Sequence, residues 1–98
     1  MSRIEFAPEV ADDFDRILDH LVQHGVEEAV SRIQDIVAAV DALERNPMIG
    51  RPLGAFNREL VIGRRSRGYL ALYRYVVEVD TVFVLAVRSQ SEAGYRDS

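Results

Sequence analysis

The 98-residue chain carries 12 basic and 16 acidic side chains, a net charge of −4, with 48% apolar and 29% charged residues. That balance describes one globular domain over residues 1–98 with a modest core, and it excludes a disordered chain. The absence of cysteine excludes a disulfide framework and thiol chemistry. No apolar run approaches the roughly 20 residues of a membrane span, and the start MSRIEF has no signal-peptide apolar region. The expectation is a cytoplasmic protein that does not contact membranes.

Arg3-Ile4-Glu5-Phe6 alternates polar and apolar residues, the pattern of a half-buried strand. Pro8 suits the first position of a helix, where its missing N–H costs nothing. Glu9, Asp12 and Asp13 put negative charge near the positive end of the helix dipole. Together with Asp15 and Asp19 they read as a solvated face. Val10, Ala11, Phe14, Ile17, Leu18, Leu21 and Val22 form one apolar stripe, and Gly25 ends the helix. A second stripe follows at Ala29, Val30, Ile33, Ile36, Val37, Val40 and Leu43, stopped by Asn46-Pro47. So short a connection predicts an antiparallel helix hairpin with each stripe turned to a shared core.

Residues 48–57 read as a loop punctuated by Gly50, Pro52 and Gly54. Residues 57–88 then read as a three-stranded meander. Leu60-Val61-Ile62 is followed by a turn from Gly63 to Gly68. Residues 69–77 are rich in aromatic and β-branched side chains, Glu78-Val79-Asp80 turns again, and residues 81–87 are nearly all β-formers. The predicted order is β, α, α, β, β, β: an α+β fold of two layers, with the helix hairpin on one face of a mainly antiparallel four-stranded sheet.

The charge is unevenly placed. Residues 1–44 hold three arginines against eleven acids, a sum of −8. Residues 45–74 hold seven arginines and only Glu59, a sum of +6. All twelve basic residues are arginine, which suits paired contacts with carboxylate or phosphate. Arg58, Arg64, Arg65, Arg67, Arg74 and Arg88 fall in the meander, making an arginine face the candidate working surface. Arginines on an exposed sheet also serve plain solubility. By strand alternation Arg74 shares its face with Leu70, Leu72 and Val76, so it is expected half-buried with a partner, either internal, such as Glu59 or Glu92, or a carboxylate of a binding partner. Arg88 closes the last strand, and its removal is expected to leave folding intact. Tyr69, Tyr73 and Tyr75 share one strand face and read as core packing. His20 and His24 lie one helical turn apart with no third ligand, so they read as surface histidines. No metal site and no cofactor are expected. Gly50-Arg51-Pro52 reads as a structural loop, because no glycine-rich strand-to-helix turn surrounds it.

Several segments together resemble one family. They are Phe6-Ala7-Pro8 with Asp12-Asp13, then Leu43 through Asn46-Pro47 to Gly50-Arg51-Pro52, Arg58-Glu59-Leu60, Gly68-Tyr69 leading to Leu72-Tyr73-Arg74, and the run from Val87-Arg88-Ser89 to Tyr95. In order and spacing the chain resembles the RelE/ParE superfamily, the toxins of bacterial type II toxin–antitoxin modules often labelled plasmid stabilisation proteins. The resemblance implies the same βααβββ fold. It also implies a cognate antitoxin, a short DNA-binding protein with an acidic amphipathic segment that folds on the toxin. DNA would then be contacted through that antitoxin.

The family divides by target, so the resemblance implies either DNA gyrase or the ribosome. RelE-like members cleave mRNA in the ribosomal A site; ParE-like members inhibit gyrase and cause growth arrest. The RelE-like pattern has a basic residue after the glycine-aromatic pair, where this chain has Leu70, and often a histidine where it has Ser89. Cleaving RNA without a metal needs a general base, an acid and charge stabilisation at the phosphate. The resemblance therefore implies a ParE-like toxin that binds gyrase and performs no chemistry of its own. The alternatives are a ribosome-dependent mRNA endonuclease using Arg67, Arg74, Arg88 and Tyr95, and a non-toxic co-repressor that only binds the antitoxin. For target or antitoxin binding the residues implied are Arg58, Arg64, Arg65, Arg67, Arg74, Arg88 and Tyr95.

Overall fold

A computed structural model describes residues 1–23, 25–63 and 68–90. Strand β1 is Arg3–Phe6, and helices α1 (Pro8–Val22) and α2 (Val26–Asp41) follow. A 3-10 turn at Ala42–Glu44 leads into β2 (Arg51–Leu53), β3 (Asn57–Ile62), β4 (Tyr69–Val76) and β5 (Thr81–Ser89). One five-stranded sheet runs β1-β5-β4-β3-β2, with β1 parallel to β5 and every other pair antiparallel. The expected α+β class holds, with one strand more than the sequence suggested. In the sequence, Pro52 and the flanking glycines mark residues 51–53 as loop. They form an edge strand on β3, a place where proline's missing N–H is tolerated.

Helix α1 starts where Pro8 fixes the backbone, with Ala7 extended before it and no side-chain cap. Gly25 bridges the helices at φ 134°, a conformation side chains rarely adopt. Val10, Ile17 and Leu21 from α1 and Ala29, Ile36 and Val40 from α2 are buried against Ala71, Tyr73, Val82, Val84 and Val87 of the sheet. Leu43 is fully buried in the 3-10 turn. Burial of a leucine of this kind contributes about 2 kcal/mol.

On β4 burial alternates, with Tyr69, Ala71 and Tyr73 inward and Tyr75 half-buried, so the tyrosines pack as expected. An irregularity at Leu72/Tyr73 leaves Leu85 of β5 without a register partner, and the inward positions of β5 shift from Val82 and Val84 to Val87. Gly50 is required for a different reason. A methyl group there would lie 2.7 Å from Tyr73 Cε1 and 2.9 Å from the Glu59 carbonyl. Its N–H donates to the Tyr73 hydroxyl at 2.8 Å, tying the 46–50 turn to the core. Burial pushes the Tyr73 hydroxyl above its ordinary pKa.

Candidate partner-binding surfaces

The described arginines do not share one face, which corrects the single arginine surface expected from the sequence. Arg58 stands opposite Tyr73 in the β3–β4 register, and Arg74 is the next residue of β4, so the two point to opposite sides of the sheet. Arg88 pairs with Leu70, four residues from Arg74 along β4, or about 13 Å at strand spacing. Arg64, Arg65, Arg67 and Tyr95 lie outside the described residues, as do His24 and Glu92.

Arg88 is built into the fold. Its Nη1 donates to Asp13 Oδ1 at 2.6 Å and to the Val87 carbonyl at 3.2 Å. Arg16 Nη1 donates to the same Asp13 oxygen at 3.0 Å, and its Nη2 donates to the Val87 carbonyl at 3.3 Å. The second Asp13 oxygen accepts the Val87 N–H at 3.0 Å. The reason is topological. Strand β1 pairs only with Thr81 to Val84, so the later part of β5 has β4 on one side and no strand on the other. Asp13 and Arg16 bind there the N–H and carbonyl that a longer β1 would have bound. Asp13 is therefore 5% exposed, not part of a solvated face. The signal was present in the sequence: Asp13 sits three residues after Val10 and four before Ile17, inside the apolar stripe.

Arg58 is also engaged, with Nη1 donating to the Gly50 carbonyl at 2.6 Å and the Met48 carbonyl at 3.1 Å. Arg74 is exposed, which corrects its expected half-burial against Glu59. Glu59 instead takes Arg51 Nε at 2.9 Å across the β2–β3 pair. The Arg74 guanidinium lies over the Phe56 ring, 4.8 Å from its centroid, a contact the sequence reading missed. Phe56 gave little sign of it, because residue spacing does not report what crosses a turn.

The helix hairpin supplies a second surface. Only the inward half of each apolar stripe is buried. Leu18 (42% exposed), Val30 (53%) and Val37 (47%) face outward and, with Phe14 and Ile33, line a groove of about 480 Å³ between α1 and α2. Asp15 and Gln34 complete its walls. Among the described residues no cluster of metal-ligating side chains occurs, and no helix is long and apolar enough to cross a membrane.

A sequence profile described as the ParE toxin of the type II toxin–antitoxin system, parDE, matches residues 4–94. The chain belongs to the ParE toxin family. A solved structure described as the chromosomal ParDE toxin–antitoxin system of P. aeruginosa is 30% identical, with a TM-score of 0.74 over 91% of this chain and 96% of that one. The isolated E. coli RelE toxin is 18% identical, with a TM-score of 0.63 over the full length of both chains. The toxin–antitoxin complex RelBE of E. coli gives 16% identity and a TM-score of 0.63 over 91% of this chain and 96% of that one. At those identities the two RelE likenesses establish the shared fold alone. No curated protein matches the chain. As a ParE-family member it is the toxin of a type II toxin–antitoxin system, and a cognate antitoxin is its partner class.

Proposed function

We propose that this ParE-family toxin arrests growth by binding DNA gyrase in the cytoplasm, and that its antitoxin neutralises it through the hairpin groove. The observation that carries the reading is the surplus apolar stripe. Leu18, Val30 and Val37 are spaced on their helices like core residues yet stay about half exposed. An apolar surface of this kind marks an interaction site. It fits an amphipathic helix laid into the groove. The groove wall carries Asp15, and α1 also holds Glu9, Asp12 and Asp19. A segment with neutral or basic flanks therefore suits it better than the acidic one expected from the sequence.

Binding without RNA chemistry is supported by the state of Arg88, which the endonuclease alternative would need free at a phosphate. Here it is held by a buried carboxylate. Leu70 and Leu72 occupy the neighbouring outward positions of β4, and neither can carry a proton.

The test is expression of the full chain with and without the gene product encoded beside it. The reading expects induction of the DNA-damage response, intact cellular mRNA, and inhibition of supercoiling by purified gyrase. Codon-phased cleavage products in primer extension would instead favour the endonuclease. Failure to slow growth at all would favour the co-repressor. Val37→Glu in the groove should weaken antitoxin binding by at least tenfold while gyrase inhibition persists.

A further inference from the structure

A cavity of about 420 Å³ opens at the end of the sheet away from Arg88, between the β2–β3 turn and the end of β4. Its lining is an unusual mixture. Phe56 is 70% exposed, Val77 66% and Met48 55%, and they line the cavity together with Arg58, Arg74 and Glu78. Apolar side chains scattered singly over a surface need no explanation, but three large ones around one concavity do. Phenylalanine, methionine and arginine are the residue types enriched where proteins bind proteins.

The walls are held in place before anything binds. Arg58 secures the Met48 and Gly50 carbonyls, and Tyr73 takes the Gly50 N–H from below. The Arg74 guanidinium carbon lies 4.8 Å from the Phe56 ring centroid, and the side chain is exposed. A guanidinium so placed can offer paired N–H groups to a carboxylate. Among the described residues no carboxylate lies within ion-pair distance of Arg74. The arginine lies over a ring, and no acidic partner stands beside it among the described residues.

We propose that this cavity docks an acidic segment of a protein partner, with a carboxylate on Arg74 and an apolar side chain seated among Phe56, Met48 and Val77. Glu78 on the cavity wall sets the orientation, because it repels an acid on its own side. Nucleic acid fits poorly: such interfaces are polar and strongly positive, and here two arginines share an apolar cavity with Glu78. The segment is held by side chains, not by extension of the sheet. Pro52 stands mid-strand on the β2 edge and has no N–H to give an incoming strand. This site is independent of the hairpin groove and does not rest on the gyrase reading.

The experiment selects a phage-displayed library of random 12-residue peptides on the immobilised full chain. It then measures the enriched peptides by fluorescence anisotropy. The expected consensus is acidic with at least one large apolar residue. Arg74→Glu and Phe56→Ser should each raise Kd at least tenfold while lowering the urea midpoint no more than the loss of one exposed contact does, and Val30→Ser with Val37→Ser leaves Kd unchanged. A basic consensus, no consensus, or equal binding to the Arg74 and Phe56 variants overturns the proposal. So does loss of binding in the hairpin variant, which would assign the peptides to the groove. A random 12-mer single-stranded RNA that binds tighter than the peptides and depends on Arg74 would likewise overturn it, giving the site to nucleic acid.

Discussion

The two ends of β4 carry arginines in opposite states. Beside Leu70, Arg88 of β5 donates to a strand carbonyl and to a buried carboxylate that it shares with Arg16. At the other end, Arg74 lies in the open on an exposed phenylalanine. The same residue type in one sheet is in one place a fastening and in the other an exposed group resting on an aromatic ring. What decides is the topology around it. At the first end β1 stops short and the sheet edge must be satisfied from α1. At the second end a turn brings an aromatic ring under the guanidinium. An arginine in a sequence therefore says little about its role until its partners are known.

The largest effect expected from this contrast is at Asp13. Asp13→Ala removes the acceptor for Val87 N–H and leaves Arg88 and Arg16 without their carboxylate. Losing the carboxylate of a part-buried ion pair that also accepts a buried strand N–H costs about 2–4 kcal/mol. For a domain whose whole stability is about 5–15 kcal/mol, urea denaturation should show a large fall in midpoint. A loss below about 1 kcal/mol would mean that the edge of β5 is satisfied in some other way.

Gly50→Ala comes next. The added methyl meets the Tyr73 ring and hydroxyl at 2.7 Å and the Glu59 carbonyl at 2.9 Å. Overpacking of this sort costs about 1–3 kcal/mol. Tyr73→Phe in the same chain removes the hydroxyl but leaves the ring carbon and the carbonyl, so it should rescue only part of the loss. A fully additive double variant would place the strain elsewhere.

Arg88→Ala and Arg74→Ala test the comparison directly. Removing Arg88 leaves Asp13 with Arg16 and Val87 N–H, so the expected loss is about 1–2 kcal/mol. Removing Arg74 loses one exposed stacking contact, about 0.5–1 kcal/mol. The expectation that Arg88 could be deleted without affecting folding is thereby reversed. Equal shifts in melting temperature for the two variants would remove the distinction between the ends. Loss of growth inhibition in Arg74→Ala with melting preserved would mark it as a recognition group.

Periodic features were legible in the sequence. Both helix stripes, the inward tyrosines of β4 and the nearly continuous β5 follow from spacing alone, because helices and strands repeat at 3.6 and 2 residues. What escaped was pairing between distant positions. Glu59 stands among the candidate partners of Arg74 because β2, which carries Arg51 to it, is hidden under proline and glycine signals. Asp13 and Arg88 are 75 residues apart, and nothing local joins them. Periodicity shows which residues share a face, not how much of that face a core will cover, so spacing alone does not separate the buried Ile36 and Val40 from the half-exposed Val30 and Val37.

The smallest effect concerns pH and a third fastening, at the β4–β5 turn. Asp80 adopts φ 48° there, and its Oδ1 accepts from the Ser2 hydroxyl at 2.6 Å and the Tyr75 hydroxyl at 2.7 Å. These bonds, the Ser2 one foremost, hold the Asp80 carboxyl below its ordinary value of 3.8, and the Asp80 bond in turn pushes the Tyr75 hydroxyl up. A carboxyl lowered in the folded state contributes stability that is fully present above its unfolded pKa. That contribution is lost as pH falls through the folded value. Asp80→Asn keeps a residue type that tolerates the left-handed backbone and removes only the titration. The gap in urea midpoint between parent and variant should therefore stay level from pH 7 to about pH 4 and narrow below it. A gap as wide at pH 2 as at pH 7 would show that the carboxylate's charge contributes nothing to the turn. Tyr75→Phe in the parent background should narrow the same gap at neutral pH, since one of the two hydroxyl donors is gone.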